Sequence, residues 1–325
     1  MIFTLYQIIR TARPRQWLKN LSVFAAPLFA GTLFNIDFIF GEPLIGKVFA
    51  KSISAFLLFC AMSSGAYFIN DIIDSPKDKN HPVKKNRPIA SGKLSIWLAW
   101  LIAGVLVLGS IYFASVYVGT YFALSLIVYI LMQMSYSLYF RNIIILDSLV
   151  VATGFVIRVF AGAFASATSI SSWLALTTIG ISLLLAFGKR RSEKTIMSKF
   201  ITADEEATTR KTLRHYPDAL LDSMISMSAT YTIITYSLFT FQISPQSVNQ
   251  SISVLLPSIL KNPKWMMLTI PFVIYGVARY LYIMYEKDEG ESPERVFLSD
   301  KPLLFTVILW GICVLSFIYI MPLFS

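Results

Sequence analysis

The chain has 325 residues, of which 56% are hydrophobic and only 14% are charged, and its mean hydropathy is +0.65. Soluble domains carry about 25% charged residues, so these values exclude that class and indicate a membrane protein. Repeated apolar runs of about 20 residues predict one all-α, multi-pass transmembrane domain over residues 1–325.

Nine apolar runs are long enough to cross a bilayer. They lie at about 18–35, 47–69, 95–117, 120–140, 143–165, 172–188, 219–242, 265–285 and 303–323. The connections alternate in charge: one side, with the N-terminus, carries most of the Lys and Arg residues, whereas the other carries only Lys261 and Lys264. The positive-inside rule therefore predicts a cytoplasmic N-terminus and an outer C-terminus in a bacterial plasma membrane.

The same topology accounts for the net charge of +10, together with attraction to anionic lipids, so we expect no nucleic-acid partner. Residues 1–20 are typical of an amphipathic lead-in rather than of a cleavable signal peptide. The two histidines, His81 and His215, are too few and too isolated to predict a transition-metal centre.

An acidic motif ends the second predicted span, in the stretch YFINDIIDSPKDKNHPVKKNRPIASG that begins at Tyr67. Asp71, Asp74 and Asp78 fall at i, i+3 and i+7, on one face of a helix. Because Pro76 disfavours helix at the preceding residue, we expect Asp78 to reach back from a loop.

Three close carboxylates repel each other unless a cation or a proton intervenes. Magnesium suits them, because it takes carboxylate, phosphate and water oxygens as ligands. Lys84, Lys85 and Arg87 follow directly and predict contacts with a diphosphate. The alternative is a solvated loop whose acids and lysines pair locally.

The motif NDIIDSPKD fits the NDxxDxxxD pattern of the UbiA superfamily of intramembrane prenyltransferases. Further stretches resemble the decaprenyl-phosphate phosphoribosyltransferase branch of that superfamily and are spread over nearly the whole chain. They are RPRQWLKNLSVFAAPLFAG (13–31), HPVKKNRPIASG (81–92), LDSLVVATGFVIRVFAGA (146–163), FGKRRSE (187–193) and RYLYIMYEKDEGESPERVFLSDKPLL (279–304).

The resemblance implies a nine-helix bundle with a polar cavity facing the cytoplasm and a magnesium-dependent site. It also implies transfer of 5-phosphoribosyl from phosphoribosyl diphosphate to a polyprenyl phosphate, with release of diphosphate, for cell-wall arabinan precursors. A UbiA-type prenyltransferase of quinone or haem biosynthesis is the alternative. A transporter is a second alternative. Transporters usually bind their cargo near the bilayer midplane, however, whereas the charged motif here lies at the end of a predicted span. A homo-oligomer is left open.

A second cluster of charges follows the sixth predicted span, in GKRRSEK. Lys189 and Arg190 are candidates for direct anion binding, because one metal cannot neutralise the several phosphates of donor and acceptor. Asp218 and Asp222 of DALLD form either a degenerate second acidic motif or, for Asp218, the first turn of a helix.

The remaining candidates are polar side chains at or inside the predicted spans. Arg158 requires a partner, a cavity or the outer interface, since an arginine at the centre of a span is costly. Asn20 is a candidate for a hydrogen bond to a substrate hydroxyl. Arg158 is also a predicted substrate contact, together with Lys19, Asn70, Tyr136, Tyr139 and Asp147.

The mechanism expected from these residues needs no catalytic triad, because a dianionic lipid phosphate attacks without a base. Asp71 and Asp74 are assigned to the metal, and Asp78 to the metal or to its outer shell. Displacement of an α-linked diphosphate inverts the anomeric carbon and predicts a β-linked product.

Overall fold

The computed structural model describes residues 2–34, 46–79, 84–200, 216–243, 264–286, 296 and 299–324. Ten α-helices are described in these ranges. They are α1 (Ile2–Ala12), α2 (Ala25–Phe29), α3 (Lys47–Asp78), α4 (Ile96–Phe113), α5 (Thr120–Leu138), α6 (Leu146–Ser166), α7 (Ser172–Phe200), α8 (Asp218–Ile243), α9 (Ile270–Glu286) and α10 (Lys301–Leu315). The all-α prediction is confirmed.

Seven helical segments are long and apolar enough to cross a membrane. They are Lys47–Asp78, Ile96–Val118, Thr120–Leu138, Leu146–Ser166, Ser172–Thr195, Trp265–Glu286 and Lys301–Ile320. The multi-pass prediction is therefore confirmed, whereas the count of nine and the cytoplasmic polar cavity stay predictions. The predicted outer loop lies largely outside the described residues, which resume at Lys264 after Ile243.

The two remaining predicted spans take different forms. The run at 18–35 is a 3₁₀ helix, Pro14–Phe24, that leads into the short α2. The run at 219–242 is the continuous helix α8, whose many Ser and Thr residues lower its hydropathy. Hydroxyls along α8, including those of Thr232 and Ser237, donate to carbonyls of the preceding turn, so their polar groups are satisfied within the helix.

Small residues bring the helices into close contact, as is common where lipid removes the hydrophobic drive between spans. A Cβ atom on Gly162 of α6 would overlap the backbone of Val23, so the 3₁₀ helix packs directly on α6. A Cβ atom on Gly180 of α7 would lie 2.7 Å from Thr232 Oγ1 of α8. These contacts pack the N-terminal segment against α6 and α8 against α7.

Four apolar clusters are described, and the two largest lie in different groups of helices. One joins the 3₁₀ helix, α3, α5 and α6 around Phe59, Phe122 and Tyr129. The other joins α7, α8 and α9 around Phe187 and Ile225. Polar side chains cluster at the cytoplasmic ends predicted for both groups of helices.

The end of α3 differs from the sequence prediction. The helix continues through Pro76 to Asp78, so the expectation that Asp78 reaches back from a loop is wrong. Pro76 lies in the last turn, where its missing N–H removes one hydrogen bond of the helix. The contact of Asp78 with Arg87 holds that turn in place, and it outweighs the local preference against helix before proline.

Candidate active site

The three aspartates of α3 each contact an arginine from a different segment. Arg13 Nη2 lies 2.5 Å from Asp71 Oδ1. Arg87 Nη1 lies 3.2 Å from the same oxygen and 2.7 Å from Asp78 Oδ2. The side chains of Asp71 and Asp78 are only 3% and 6% exposed. Burial at this level requires a compensating cation, which the arginines supply.

The carboxylate of Asp74 contacts a different arginine from those bound by Asp71 and Asp78. Arg141 Nη1 donates to both of its carboxylate oxygens, at 2.8 Å and 3.1 Å. Arg141 lies in the 3₁₀ turn Phe140–Asn142 between α5 and α6. Arg141 was not predicted as a site residue, and its place in the short connection after α5 was the available signal.

Arg13 is fixed by its backbone and by its neighbours. It adopts a left-handed conformation, with φ of 53°, between α1 and the 3₁₀ helix. Its guanidinium lies over the ring of Tyr67, 4.8 Å from the centroid. Trp17 Nε1 donates to Ser64 Oγ at 3.0 Å, so the whole N-terminal segment is attached to α3. In the sequence Arg13 is only the first residue of the family-like stretch 13–31, and its contact with Asp71 was not predicted.

The donor set fits a divalent cation held by two carboxylates rather than three. Asp71 and Asp78 already converge on a single positively charged nitrogen, Arg87 Nη1. Magnesium needs only one or two protein carboxylates when phosphates and water complete its shell. Within the described residues, no group of three or more His, Cys, Asp or Glu side chains is arranged to hold a metal.

The basic residues that follow lie at the surface near this pair. Lys84 and Lys85 form an exposed 3₁₀ turn, Lys84–Asn86, immediately before Arg87. Asn70 faces the bundle, where its Oδ1 accepts a hydrogen bond from Ser137 of α5. The role of Asn70 as a substrate contact stays a prediction.

A second group of charges surrounds Arg190 of α7. Arg190 Nε lies 3.1 Å from Asp147 Oδ2, and both side chains are fully buried. The contact is an ion pair rather than a well-aligned hydrogen bond. Arg190 Nη1 also pairs with Glu193. Asp147 therefore orients Arg190, and its role as a substrate contact stays a prediction.

Tyr216 completes the surroundings of Asp147. Its hydroxyl donates to Asp147 Oδ1 at 2.6 Å and accepts from the backbone N–H of Ile145 at 2.5 Å. Burial raises the pKa of Tyr216 to about 12, and the hydrogen bond to Asp147 acts in the same direction. Tyr216 is consequently a proton donor at neutral pH, and it holds the start of α6 against the segment before α8.

Lys189 precedes Arg190 on α7 and relates this group of charges to the 3₁₀ helix that carries Lys19. Its Nζ lies 3.8 Å from Glu193 Oε1, and it interacts electrostatically with Lys19, Arg190 and Tyr136. Lys189 and Lys19, from different helices, thus repel each other, and an anion near both would relieve this repulsion. Tyr139, by contrast, is exposed at the end of α5.

Arg158 lies in the interior of the bundle, so the alternative that it extends to the outer interface is wrong. It donates to Asn20 Oδ1 at 2.8 Å, to the carbonyl of Gly154 at 2.7 Å and to the Tyr129 hydroxyl at 2.9 Å. Asn20 in turn donates to Ser63 Oγ at 3.2 Å. The amide of Asn20 is engaged by the protein, which argues against its predicted contact with a substrate.

The two acids of DALLD form ion pairs with α7. Arg191 Nε lies 2.9 Å from Asp222 Oδ1, and Lys194 Nζ lies 2.9 Å from Asp218 Oδ1. Tyr285 of α9 also donates to Asp222 Oδ1 at 2.9 Å. Asp218 is the first residue of α8, as the structural alternative predicted. These contacts join α7, α8 and α9.

Comparison with known proteins identifies the class to which this bundle belongs. The sequence profile of the UbiA prenyltransferase family matches residues 45–305. The chain belongs to this family, which confirms the resemblance found in the acidic motif. A UbiA homolog from Archaeoglobus fulgidus, solved bound to DMAPP and Mg²⁺, superposes with a TM-score of 0.64 at 17% identity and covers 96% of both chains.

More similar relatives carry a particular name within that class. The decaprenyl-phosphate phosphoribosyltransferase of Corynebacterium glutamicum is 32% identical over 318 residues, which cover 98% of this chain and 88% of the relative. The protein of the same name from Mycolicibacterium smegmatis is 34% identical over 305 residues, covering 93% and 89%.

Proposed function

We propose that the chain transfers the 5-phosphoribosyl group of phosphoribosyl diphosphate to a polyprenyl phosphate and releases diphosphate, for use in cell-wall arabinan precursors. The names of the relatives aligned over nearly the whole chain support this donor and this acceptor. The observation that carries the proposal is the charge arrangement: one converging pair of carboxylates lies among basic side chains from several segments. Lys84 and Lys85 add positive charge beyond these three arginine–aspartate pairs. Such an excess of cations suits substrates with several phosphates.

Asp71 and Asp78 are the residues that would hold Mg²⁺, whereas Asp74 pairs with Arg141. Bound magnesium would neutralise charge on the departing diphosphate. Lys84, Lys85 and Arg87 bind the diphosphate directly, and Arg13 keeps Asp71 oriented. The solved family members bound to Mg²⁺ support the use of a divalent cation here.

Lys19 and Lys189 bind the phosphate of the lipid acceptor, and Arg190 supports them from its buried position. An oxygen of that phosphate attacks ribose C1, and the bond from C1 to the diphosphate breaks with its electron pair on the leaving group. Inversion gives a β-linked product. The attacking oxygen is already ionised, so no side chain needs to remove a proton.

The proposed topology places this site at the cytoplasmic face, with the N-terminus inside and the C-terminus outside. The basic residues of the acidic motif and of α7 lie on that side by the positive-inside rule. The polyprenyl chain lies in an apolar groove between helices that opens to lipid.

The test uses purified protein with labelled phosphoribosyl diphosphate, decaprenyl phosphate and Mg²⁺. We expect a lipid-linked phosphoribose that is lost on addition of a chelator. A parallel reaction with a prenyl diphosphate and an aromatic acceptor tests the alternative suggested by the family members solved with prenyl diphosphates. Product in the second reaction alone contradicts the proposal.

A further inference from the structure

The guanidinium of Arg87 lies between the two carboxylates that the proposed function assigns to a metal. One nitrogen, Nη1, contacts both Asp71 Oδ1 at 3.2 Å and Asp78 Oδ2 at 2.7 Å. Because both carboxylates are buried, this point needs a positive charge whether or not a metal is present.

Arg87 and a metal ion compete for the same oxygens. Magnesium binds carboxylate oxygens at about 2.0–2.1 Å, and a guanidinium hydrogen-bonded to those oxygens would lie close enough to repel it strongly. The two cations therefore exclude each other at this point, and the entry of one requires the departure of the other.

The Arg87 side chain can move away from Asp71 and Asp78, whereas the Arg13 side chain is held against Asp71. The two arginine side chains are similarly exposed, 28% for Arg87 and 31% for Arg13, so the difference lies in how each one is held. Arg87 follows a surface 3₁₀ turn, and its backbone N–H is already bonded to the carbonyl of Lys84 at 2.9 Å. The side chain is therefore free to rotate without unfolding the loop. Arg13 precedes Pro14 and stacks on Tyr67, which fixes its direction.

We propose that Arg87 is an exchangeable counter-cation: it neutralises Asp71 and Asp78 in the metal-free protein, and metal binding displaces it toward the phosphates of the donor. The identity of the donor rests on the proposed function. The competition between Arg87 and the metal does not rest on the proposed function, because it requires only that both cations bind the carboxylates of Asp71 and Asp78.

The competition predicts opposite effects of one substitution. Arg87→Gln removes the competitor, so Mn²⁺ should bind the substrate-free protein about tenfold more tightly. The same change should weaken binding of phosphoribosyl diphosphate. Arg87→Lys should lie between the wild type and Arg87→Gln in Mn²⁺ affinity, and it carries the test if the glutamine variant fails to fold.

The experiment is a titration of detergent-solubilised, substrate-free protein with Mn²⁺, in which free ion is followed by electron paramagnetic resonance. Lys85→Gln is the matched control, because it removes one positive charge from the same turn. At physiological salt, screening beyond about 8 Å keeps the general effect of a lost charge small. We expect tighter Mn²⁺ binding for Arg87→Gln than for Lys85→Gln.

Equal Mn²⁺ affinities for these two variants overturn the inference, and so does an absence of Mn²⁺ binding in every variant. Tighter binding by Arg87→Gln supports it even if no phosphoribosyl transfer is found in the activity assay. In that case the proposed function is wrong, but the competition between Arg87 and the metal still holds. Binding that Asp71→Asn abolishes in the Arg87→Gln background assigns the ion to the expected carboxylates.

Discussion

Asp74 with Asp78 on α3 and Asp218 with Asp222 on α8 have the same spacing, yet their surroundings differ. On α3 the side chain of Asp78 is 6% exposed and shares Arg87 with the buried Asp71. On α8 the side chains of Asp218 and Asp222 are 57% and 40% exposed and pair with bases of α7. Spacing alone therefore does not distinguish a site from a structural contact.

Burial separates the two regions physically. A buried carboxylate must be neutralised at all times, so its counter-cation contributes strongly and its position is available to another cation. An exposed ion pair contributes less than about 1 kcal/mol, because water screens both charges. The α3 acids thus suit an exchangeable cation, whereas the α8 acids help to join three helices.

The largest expected difference between the regions is in activity. Asp71→Asn should lower the rate of lipid-linked product formation by about 10²–10³-fold, as loss of one electrostatic contact to a transition state does. Asp222→Asn, which makes the same chemical change on α8, should alter that rate less than about threefold. Equal losses in the two variants would show that both acidic pairs serve the reaction.

The Asp147–Arg190 pair tests the role of burial in stability. Arg190→Gln leaves Asp147 buried without its main counter-charge, so the free energy of unfolding should fall by about 3–5 kcal/mol. Denaturant titration in mixed micelles measures this change. The double variant Asp147→Asn with Arg190→Gln should recover most of the loss. No recovery would indicate that packing of Arg190, rather than its charge, stabilises the fold.

Tyr216→Phe should cost about 1–2 kcal/mol of unfolding free energy, since it removes the donor to Asp147 and keeps the ring. The pKa of Tyr216 is raised from 10.0 to about 12 in the folded protein. Its contribution is therefore full below pH 10 and is lost as the pH rises toward 12. The difference between wild type and variant should be constant from pH 7 to pH 9, and a change within that interval would contradict the assignment.

The smallest effect is expected for the exposed ion pairs between Arg191 of α7 and the two acids of α8. Arg191→Gln should change the free energy of unfolding by less than about 1 kcal/mol, and added salt should reduce even that difference. The same titration, at low and high sodium chloride, checks it. A loss as large as that of Arg190→Gln would mean that the α7–α8–α9 contact is a main determinant of stability.

Much of the architecture was predictable, because hydropathy over about 20 residues is a strong signal. The helices from α3 to α7 correspond to the predicted runs, but α3 continues from the predicted end at 69 to Asp78 and α7 continues from 188 to Phe200. Of the site, the sequence predicted the acids and bases but not their pairing. Arg13 and Arg141 are distant from the acidic motif in sequence, and only packing of the N-terminal segment and of the α5–α6 turn brings them to it.

Arg158 shows the same division between what the sequence predicts and what the packing of the helices decides. The sequence established that a cation inside a span must find polar partners, because an uncompensated charge in a bilayer is costly. It did not establish which partners, since Asn20 and Tyr129 lie far from Arg158 along the chain. The membrane class, the family and the charged residues were thus determined by composition and local motifs. Which carboxylates are buried, and which cation each one meets, was decided by the tertiary structure, because burial and pairing are properties of packed helices.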